Sequence, residues 1–281
     1  MVNLSIAKIE IIKINEAESS VQSDILACEE PLEIRLTHGS SGNRITKSIS
    51  VTMRTPGNDA ELALGFLFTE GIIQRNDEVK NIHSHDENII EVELTENTSP
   101  ALEKLTRNFY TTSSCGVCGK SSIDAVRILL PEISDNQNFS VSHETVYSLP
   151  SLLRKTQIVF DQTGGLHASA IFDLNGKLEI VREDVGRHNA LDKIIGCAFL
   201  KNHLPLSNHI LLLSGRASFE LIQKAAMAGI RIVAAVGAPS TLAVELAKES
   251  GITLVGFLRE NRFNIYCGET RIQNLKSKIN S

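Results

Sequence analysis

An alternation in the second half of the chain constrains the fold most tightly. Three short apolar runs, Ile210-Leu211-Leu212-Leu213, Ile230-Arg231-Ile232-Val233-Ala234-Ala235-Val236 and Ile252-Thr253-Leu254-Val255-Gly256-Phe257, are separated by two segments of helical character, Phe219 to Ala228 and Ser240 to Glu249. Runs this apolar fit strands covered on both faces, and strands joined through helices form βαβ crossovers, hence a parallel sheet core. Just upstream, Ala170-Ile171-Phe172-Asp173 and Leu178-Glu179-Ile180-Val181 flank Leu174-Asn175-Gly176-Lys177. Asn-Gly can adopt the two positive φ angles of a type I′ turn, so a hairpin is expected there. Arg187 to Leu200 then reads as a helix with Leu191, Ile194, Ile195 and Ala198 on one face and Cys197 as a small buried hydrophobe beside them.

Before residue 110 the pattern is mostly strand. Glu33-Ile34-Arg35-Leu36 and Ile89-Ile90-Glu91-Val92-Glu93-Leu94 alternate, and Ile45, Ile49, Val51 and Met53 alternate with Lys47, Ser48, Thr52 and Arg54 in the manner of a half-buried strand. Between them Asn58 reads as a helix N-cap with Glu61 as its capping-box partner, and the helix carries Leu62, Leu64, Phe66 and Leu67 towards the sheet until Gly71. A small α+β domain over 1–110 follows, joined by 111–120 to an α/β domain over 121–281. The chain shows no internal repeat and no low-complexity tract.

The connecting segment carries the chemistry. Thr111-Thr112-Ser113-Ser114-Cys115-Gly116-Val117-Cys118-Gly119-Lys120 sets two thiols two residues apart in a stretch too polar and glycine-rich to be core. A thiolate is both nucleophile and metal ligand, and this spacing, like a neighbouring cation such as Lys120, lowers a thiol pKa. The spacing alone leaves disulfide exchange, zinc binding and sulfur carriage open. Tetrahedral zinc needs four ligands, yet Cys28, Cys197 and Cys267 are scattered singly and no second Cys-x-x-Cys supplies the rest. Five cysteines, an odd number, in a chain without a signal peptide point to a reducing compartment, so the cytoplasm is the expected location. Lys8, Glu10 and Lys13 interrupt the apolar start, and no later run reaches the length of a membrane span. A formal net charge of −5 argues against a general nucleic-acid binder.

A phosphate-bearing ligand has candidate sites at the strand ends. Ser214-Gly215-Arg216-Ala217-Ser218 follows the first apolar run and Gly237-Ala238-Pro239-Ser240-Thr241 the second, with Pro239 expected near the first helical turn. Both combine glycine and hydroxyls with backbone donors expected to be free, and Arg216 adds a cation suited to phosphate. Ser218 and Ser240 are equally well read as plain N-caps. Neither loop has a Walker or Rossmann signature. Glu183-Asp184-Val185-Gly186-Arg187-His188-Asn189 packs acid, cation and imidazole into a strand-to-helix turn, which suits acid–base chemistry or, more simply, helix capping by Asp184. His167 follows Gly164-Gly165, where a histidine is more often structural than catalytic.

Ser114-Cys115-Gly116-Val117-Cys118-Gly119, Gly165-Leu166-His167-Ala168, Glu183 through Ala190 with Asp192-Lys193, Ser214-Gly215-Arg216 and Gly256-Phe257-Leu258-Arg259 stand in the order found in the FdhD/NarQ family. The chain resembles that family over nearly its whole length. The resemblance implies a cytosolic homodimeric sulfurtransferase that accepts sulfur from an IscS-type cysteine desulfurase. It would pass this sulfur to the molybdenum of the bis(molybdopterin guanine dinucleotide) cofactor before formate dehydrogenase takes the cofactor up. The resemblance makes Cys115 the persulfide-bearing residue and Cys118 its partner, which either relays sulfur or attacks the persulfide and releases sulfide. It makes Phe257-Leu258-Arg259-Glu260-Asn261-Arg262 the cofactor segment, with Arg216 and Ser240 as further phosphate contacts and GDP as a mimic of the cofactor's arms. The larger domain would then be a cytidine deaminase-like three-layer α/β sandwich beside the smaller N-terminal α+β domain. Deamination itself is not implied, because Ser169 stands where the zinc deaminases place a glutamate and the cysteines precede His167.

Resting on resemblance and thiol chemistry together, 111–120 is expected to be a mobile loop, with Gly116 and Gly119 letting it turn between donor and acceptor. Two rivals come from other classes. A thioredoxin-type thiol–disulfide oxidoreductase would place its cysteines where a strand meets a helix, not after a long polar connection. A nucleotide-binding regulatory protein with a structural zinc is the other.

Overall fold

The computed structural model describes residues 5–16, 18–96, 98–102 and 139–273. Cys115, Cys118 and the whole of 111–120 lie outside the described residues. Alternating side chains build the first half. A two-stranded ribbon, β1 (Ile6–Asn15) and β2 (Glu18–Ala27), precedes a four-stranded sheet of β3 (Glu30–His38), β4 (Ile45–Arg54), β5 (Val79–Asp86) and β6 (Ile89–Leu94), in the order β4-β3-β6-β5. Helix α1 (Asp59–Thr69) lays Leu62, Leu64 and Leu67 on Leu32, Ile34, Leu36, Val92 and Leu94. Complete burial of such side chains stabilises by about 1.5–3 kcal/mol each. Helix and sheet together make an α+β unit.

The second half alternates as its apolar runs require. After β7 (Val141–Ser142), α2 (His143–Arg154) and α3 (Ile158–Thr163) come β8 (His167–Asp173), β9 (Leu178–Asp184), α4 (Arg187–Leu200), β10 (His209–Leu213), α5 (Phe219–Met227), β11 (Ile232–Ala235), α6 (Thr241–Glu249), β12 (Thr253–Arg259), β13 (Arg262–Cys267) and β14 (Ile272–Gln273). The six-stranded sheet runs β13-β12-β11-β10-β8-β9, with β10, β11 and β12 parallel and the others antiparallel to their neighbours. Leu191, Ile194, Leu221, Ile222, Ala243 and Leu246 cover one face through α4, α5 and α6. Val146, Leu149 and Leu153 of α2 cover the other. Three layers result, helix, sheet and helix, and Cys197 is buried among them as expected. No helix among the described residues is long and apolar enough to cross a membrane.

Several local expectations are corrected. The β8–β9 hairpin forms, but of its Asn-Gly pair Gly176 alone has positive φ, at 84°. The Gly176 N–H donates to Asp173 O at 3.1 Å, and the Asp173 carboxylate accepts from Asn175 and Lys177 N–H at 2.9 and 2.8 Å. The turn is therefore centred on Leu174 and Asn175 with a left-handed glycine after it, which is not type I′. In β4, Ile34 pairs with Ser50 but Arg35 with Ser48, so Ile49 is an extra residue. Such a bulge reverses the side-chain parity beyond it. Val51 and Met53 accordingly face solvent, whereas Arg54 is buried and clamps Asp59 through Nε and Nη2 at 3.0 and 3.1 Å. Asn58 does stand at the N-cap of α1, in the left-handed region and without a side-chain cap bond. Glu61 is drawn away to Arg182, whose Nε and Nη2 reach its carboxylate at 2.5 and 2.7 Å. Pro239 precedes the Ser240 N-cap and so lies outside α6.

The two halves are locked through α1 and α4. A Cβ at Gly65 would overlap the Asp192 carbonyl, and one at Gly196 would overlap the Glu61 carbonyl, so the helices cross at backbone distance. The Glu183-to-Lys193 run supplies the rest of the lock. Asp184 is fully buried, pairs with Lys193 at 2.6 Å, and accepts from the N–H groups of Gly186 and Thr55 at 2.8 and 3.2 Å. Asn189 donates to Met53 O at 2.7 Å, and Lys193 donates to Thr55 O at 2.8 Å. Asp184 therefore does not cap α4, whose N-cap is Gly186 without a side-chain cap bond; its carboxylate turns the chain through Gly186 N–H and fixes the residue after β4.

Candidate functional site

Ligands of open α/β sheets bind beyond the carboxyl ends of the strands. β10, β11 and β12 end side by side here, and the loops after β10 and β11 are zipped to each other. Val236 N–H donates to Leu213 O at 3.0 Å, Gly237 N–H to Gly215 O at 2.8 Å, Ala217 N–H to Ala238 O at 3.2 Å and Ser240 N–H to Ala217 O at 3.0 Å. The backbone donors expected to be free in these loops are therefore largely spent on one another. Gly237 is required, since a Cβ would stand 2.9 Å from the Arg216 backbone. The Ser240 hydroxyl accepts from Ala243 N–H at 3.2 Å, an N-cap bond. Ser218 also occupies an N-cap position but makes no cap bond, its Oγ standing 3.4 Å from His188 Nε2.

A cleft of about 1490 Å³ opens beside these loops. One wall is the β12–β13 turn, Arg259-Glu260-Asn261-Arg262, all four residues of which line it. A second wall comes from α2, α3 and the strand that follows, with Arg154, Lys155, Gln157, Phe160, Gly164, Gly165 and Leu166 among its lining residues, and His167, Ser214 and Val236 line the cleft as well. Arg259 is held in place through Nη1, which donates to Val236 O at 2.7 Å and Leu258 O at 2.8 Å. Arg262 makes no side-chain hydrogen bond among the described residues and is exposed. With two cations on each wall and a neutral-leaning imidazole, Glu260 is the sole carboxylate among the described lining residues, a composition that attracts phosphate oxygens.

The other expected cofactor residues lie elsewhere. Leu258 is fully buried in the sheet core. Arg216, Ser240 and Phe257 are exposed but do not line the cleft. Phe257 sits in the left-handed region at φ 52°, with its N–H on Gly237 O at 3.1 Å. A bulky residue held there is strained, and such strain concentrates at functional sites.

Burial, then the nearby charges of Arg187 and His188, push the His167 imidazole below its ordinary range. Glu183, next to the Asp184 lock, accepts from Val159 N–H at 3.1 Å and Phe160 N–H at 2.9 Å, and so fixes the α3 wall, while burial pushes its carboxyl up. Glu220 is pushed up by burial, but hydrogen bonds from His188, its own N–H and Ser218 outweigh this and hold it at about 2. The acid–base reading of the Glu183 run thus dissolves into a wall anchor, a lock and a His188–Glu220 pair. Arg154, Lys155, Gln157 and Phe160 were not singled out from sequence. The one local signal was an Arg-Lys pair ahead of Gly164-Gly165. Among the described residues no group of three or more His, Cys, Asp or Glu is arranged to hold a metal ion.

A family model described as the FdhD/NarQ family matches residues 27–273. The sulfur carrier protein FdhD of Streptomyces avermitilis is 50% identical over 273 residues, covering 94% of both chains. That of Sulfurisphaera tokodaii is 41% identical over 269 residues, covering 96% of this chain and all of its own. The crystal structure of a candidate formate dehydrogenase accessory protein from Desulfotalea psychrophila superposes with a TM-score of 0.73 at 25% identity, covering 95% of this chain and 99% of that one.

Proposed function

The chain belongs to the FdhD/NarQ family, and from that premise we propose that it is a sulfurtransferase that carries sulfur on Cys115 from a cysteine desulfurase to a molybdenum cofactor serving formate dehydrogenase. The cofactor, bis(molybdopterin guanine dinucleotide), is a substrate here. One observation carries the reading: all four residues of Arg259-Glu260-Asn261-Arg262 line a cleft that Arg154 and Lys155 also line. Such a cleft suits the paired phosphates of a dinucleotide arm, and the exposed, strained Phe257 stands beside it. On this reading the cytidine deaminase-like sandwich serves as a nucleotide-binding frame, and the protein works in the cytoplasm as a homodimer.

The chemistry balances at each step. The Cys115 thiolate attacks the sulfane sulfur of the donor persulfide, a new S–S bond forms as the donor's breaks, and the donor cysteine leaves as thiolate. Attack by the Cys118 thiolate on Cys115 Sγ then expels hydrosulfide, with the two electrons supplied by the two cysteines as they become a disulfide. Sulfide leaves at the oxidation state in which a metal accepts it. Holding the dinucleotide arms in the cleft would make delivery effectively intramolecular.

The test separates loading from delivery. Cys115→Ala should lose the cyanide-releasable sulfur gained on incubation with desulfurase and cysteine. Arg259→Ala/Arg262→Ala should load normally but bind GDP far more weakly, since each charge-assisted hydrogen bond contributes roughly 1.5–3 kcal/mol. Full loading of Cys115→Ala, or unchanged GDP binding by the double variant, would refute the respective half. Intact mass also decides among the rivals, since an oxidoreductase loses two hydrogens and a zinc protein gains the metal.

A further inference from the structure

The cleft wall formed by α2 and α3 holds a side-chain amide with no partner among the described residues. Gln157 stands between α2 and α3, lines the cleft and is 6% exposed. Its main chain is satisfied, with the N–H on Arg154 O at 3.4 Å and the carbonyl accepting from Asp161 N–H at 3.0 Å. Its side-chain amide makes no hydrogen bond among the described residues. Its Nε2 and Oε1 are also absent from the fully enclosed orphan atoms, so its small remaining exposure falls on them. A polar group this buried and unsatisfied is costly to keep unless a ligand completes it.

Two neighbours define what that ligand looks like. Arg154 lays its guanidinium over the Phe160 ring, with Cζ 4.5 Å from the centroid, and Asp161 fixes it from the side at 2.9 Å. The Arg154 side chain is 56% exposed, and guanidinium planes are stacking platforms for nucleobases. An amide offers a donor beside an acceptor and pairs with a ring edge that offers the same. The lactam edge of guanine does so through O6 and N1–H. Arg154 and Lys155 favour a ring edge rich in acceptors, and guanine presents O6 beside N7 where adenine presents an amino donor beside N7. We propose that Gln157 reads the lactam edge of a guanine ring stacked on Arg154 and sets the base specificity of the cleft. This rests on the cofactor reading above and names the residue that recognises the base.

The test is a set of calorimetric titrations of the full chain with GDP, IDP and inorganic pyrophosphate. Wild type should bind GDP and IDP alike, since both carry O6 and N1–H. Gln157→Leu should weaken GDP about tenfold or more, the discrimination expected of a bidentate pair, and leave pyrophosphate unchanged. Gln157→Glu should keep GDP, whose N1–H and 2-amino group both donate to a carboxylate, and weaken IDP, which lacks the amino group. A merely structural role would not separate GDP from IDP. The proposal is overturned if Gln157→Leu, melting like wild type by circular dichroism, keeps its GDP affinity or loses GDP and pyrophosphate alike. GDP binding that responds to Arg259→Ala/Arg262→Ala but not to Gln157→Leu would overturn it and leave the cofactor reading standing. A wild-type chain that binds neither GDP nor pyrophosphate would overturn both.

Discussion

His167 stands at the start of β8, where the strand meets the cleft, so its protonation reports on what the cleft holds. Burial first, then Arg187 and His188, push it below the ordinary value of 6.5. The folded chain therefore binds this proton less readily than the unfolded chain, and stability is lost as pH falls from about 6.5 through the folded value. His167→Gln should flatten that part of the stability curve, with no effect above pH 6.5 from this source. A proton NMR titration should place the His167 midpoint below 6.5. Saturating pyrophosphate should raise it, because a nearby anion favours the imidazolium. A midpoint indifferent to pyrophosphate would put the phosphates away from His167. Nothing in Gly164-Gly165-Leu166-His167 announces this role, since it depends on Arg187 and His188 arriving from another element.

Among the elements, the crossing of α1 over α4 gives a prediction whose sign runs against helix propensity. Alanine favours an exposed helix interior by roughly 1 kcal/mol over glycine. At Gly196, however, a Cβ would overlap the Glu61 carbonyl, so Gly196→Ala must push the helices apart. Overpacking of this kind costs about 1–3 kcal/mol or more. Urea unfolding should show a net loss, whereas a gain would mean that the helices meet less closely. The α4 limits, Arg187 and Leu200, were legible because a long apolar stripe and a strand-to-helix turn bracket them. The run β10-α5-β11-α6-β12 was legible for the same reason. Other elements were not. β1 carries Lys8, Glu10 and Lys13 and buries almost nothing, leaving Ile12 and Ile14 exposed. α2 has Pro150 within it, and α3 is one short piece. The cleft wall is built from these two helices, so half of the candidate site was hidden in segments with weak periodicity. The parity of β4 was hidden too, because the bulge at Ile49 depends on its pairing with β3.

At the scale of the whole molecule, two buried ion pairs of the second half each hold a threonine of the first, Thr55 and Thr69, which bears on whether the halves unfold together. Asp184 at the end of β9 pairs with Lys193 of α4, and the two hold the N–H and the carbonyl of Thr55 just beyond β4, while Lys224 of α5 reaches both oxygens of Asp192 at 2.9 Å and Thr69 Oγ1 of α1 at 2.8 Å. Replacing a buried pair with apolar residues is often tolerated, but removing one partner leaves a bare buried charge and costs about 3–5 kcal/mol. Lys193→Met strands the Asp184 carboxylate, which also receives Thr55 N–H from the first half. If the lock makes one cooperative unit, hydrogen exchange should give α1 and α4 amides the same opening free energy in wild type, and Lys193→Met should lower both by a similar amount. Asp184→Leu/Lys193→Met should recover part of the loss. The effect should also reach the cleft, because Glu183 adjoins Asp184 and holds the α3 wall through Val159 and Phe160. GDP affinity of Lys193→Met should therefore fall although Lys193 does not line the cleft. Unfolding of α4 alone, with α1 amides and GDP binding untouched, would show two independent halves and remove the N-terminal unit from any part in shaping the site.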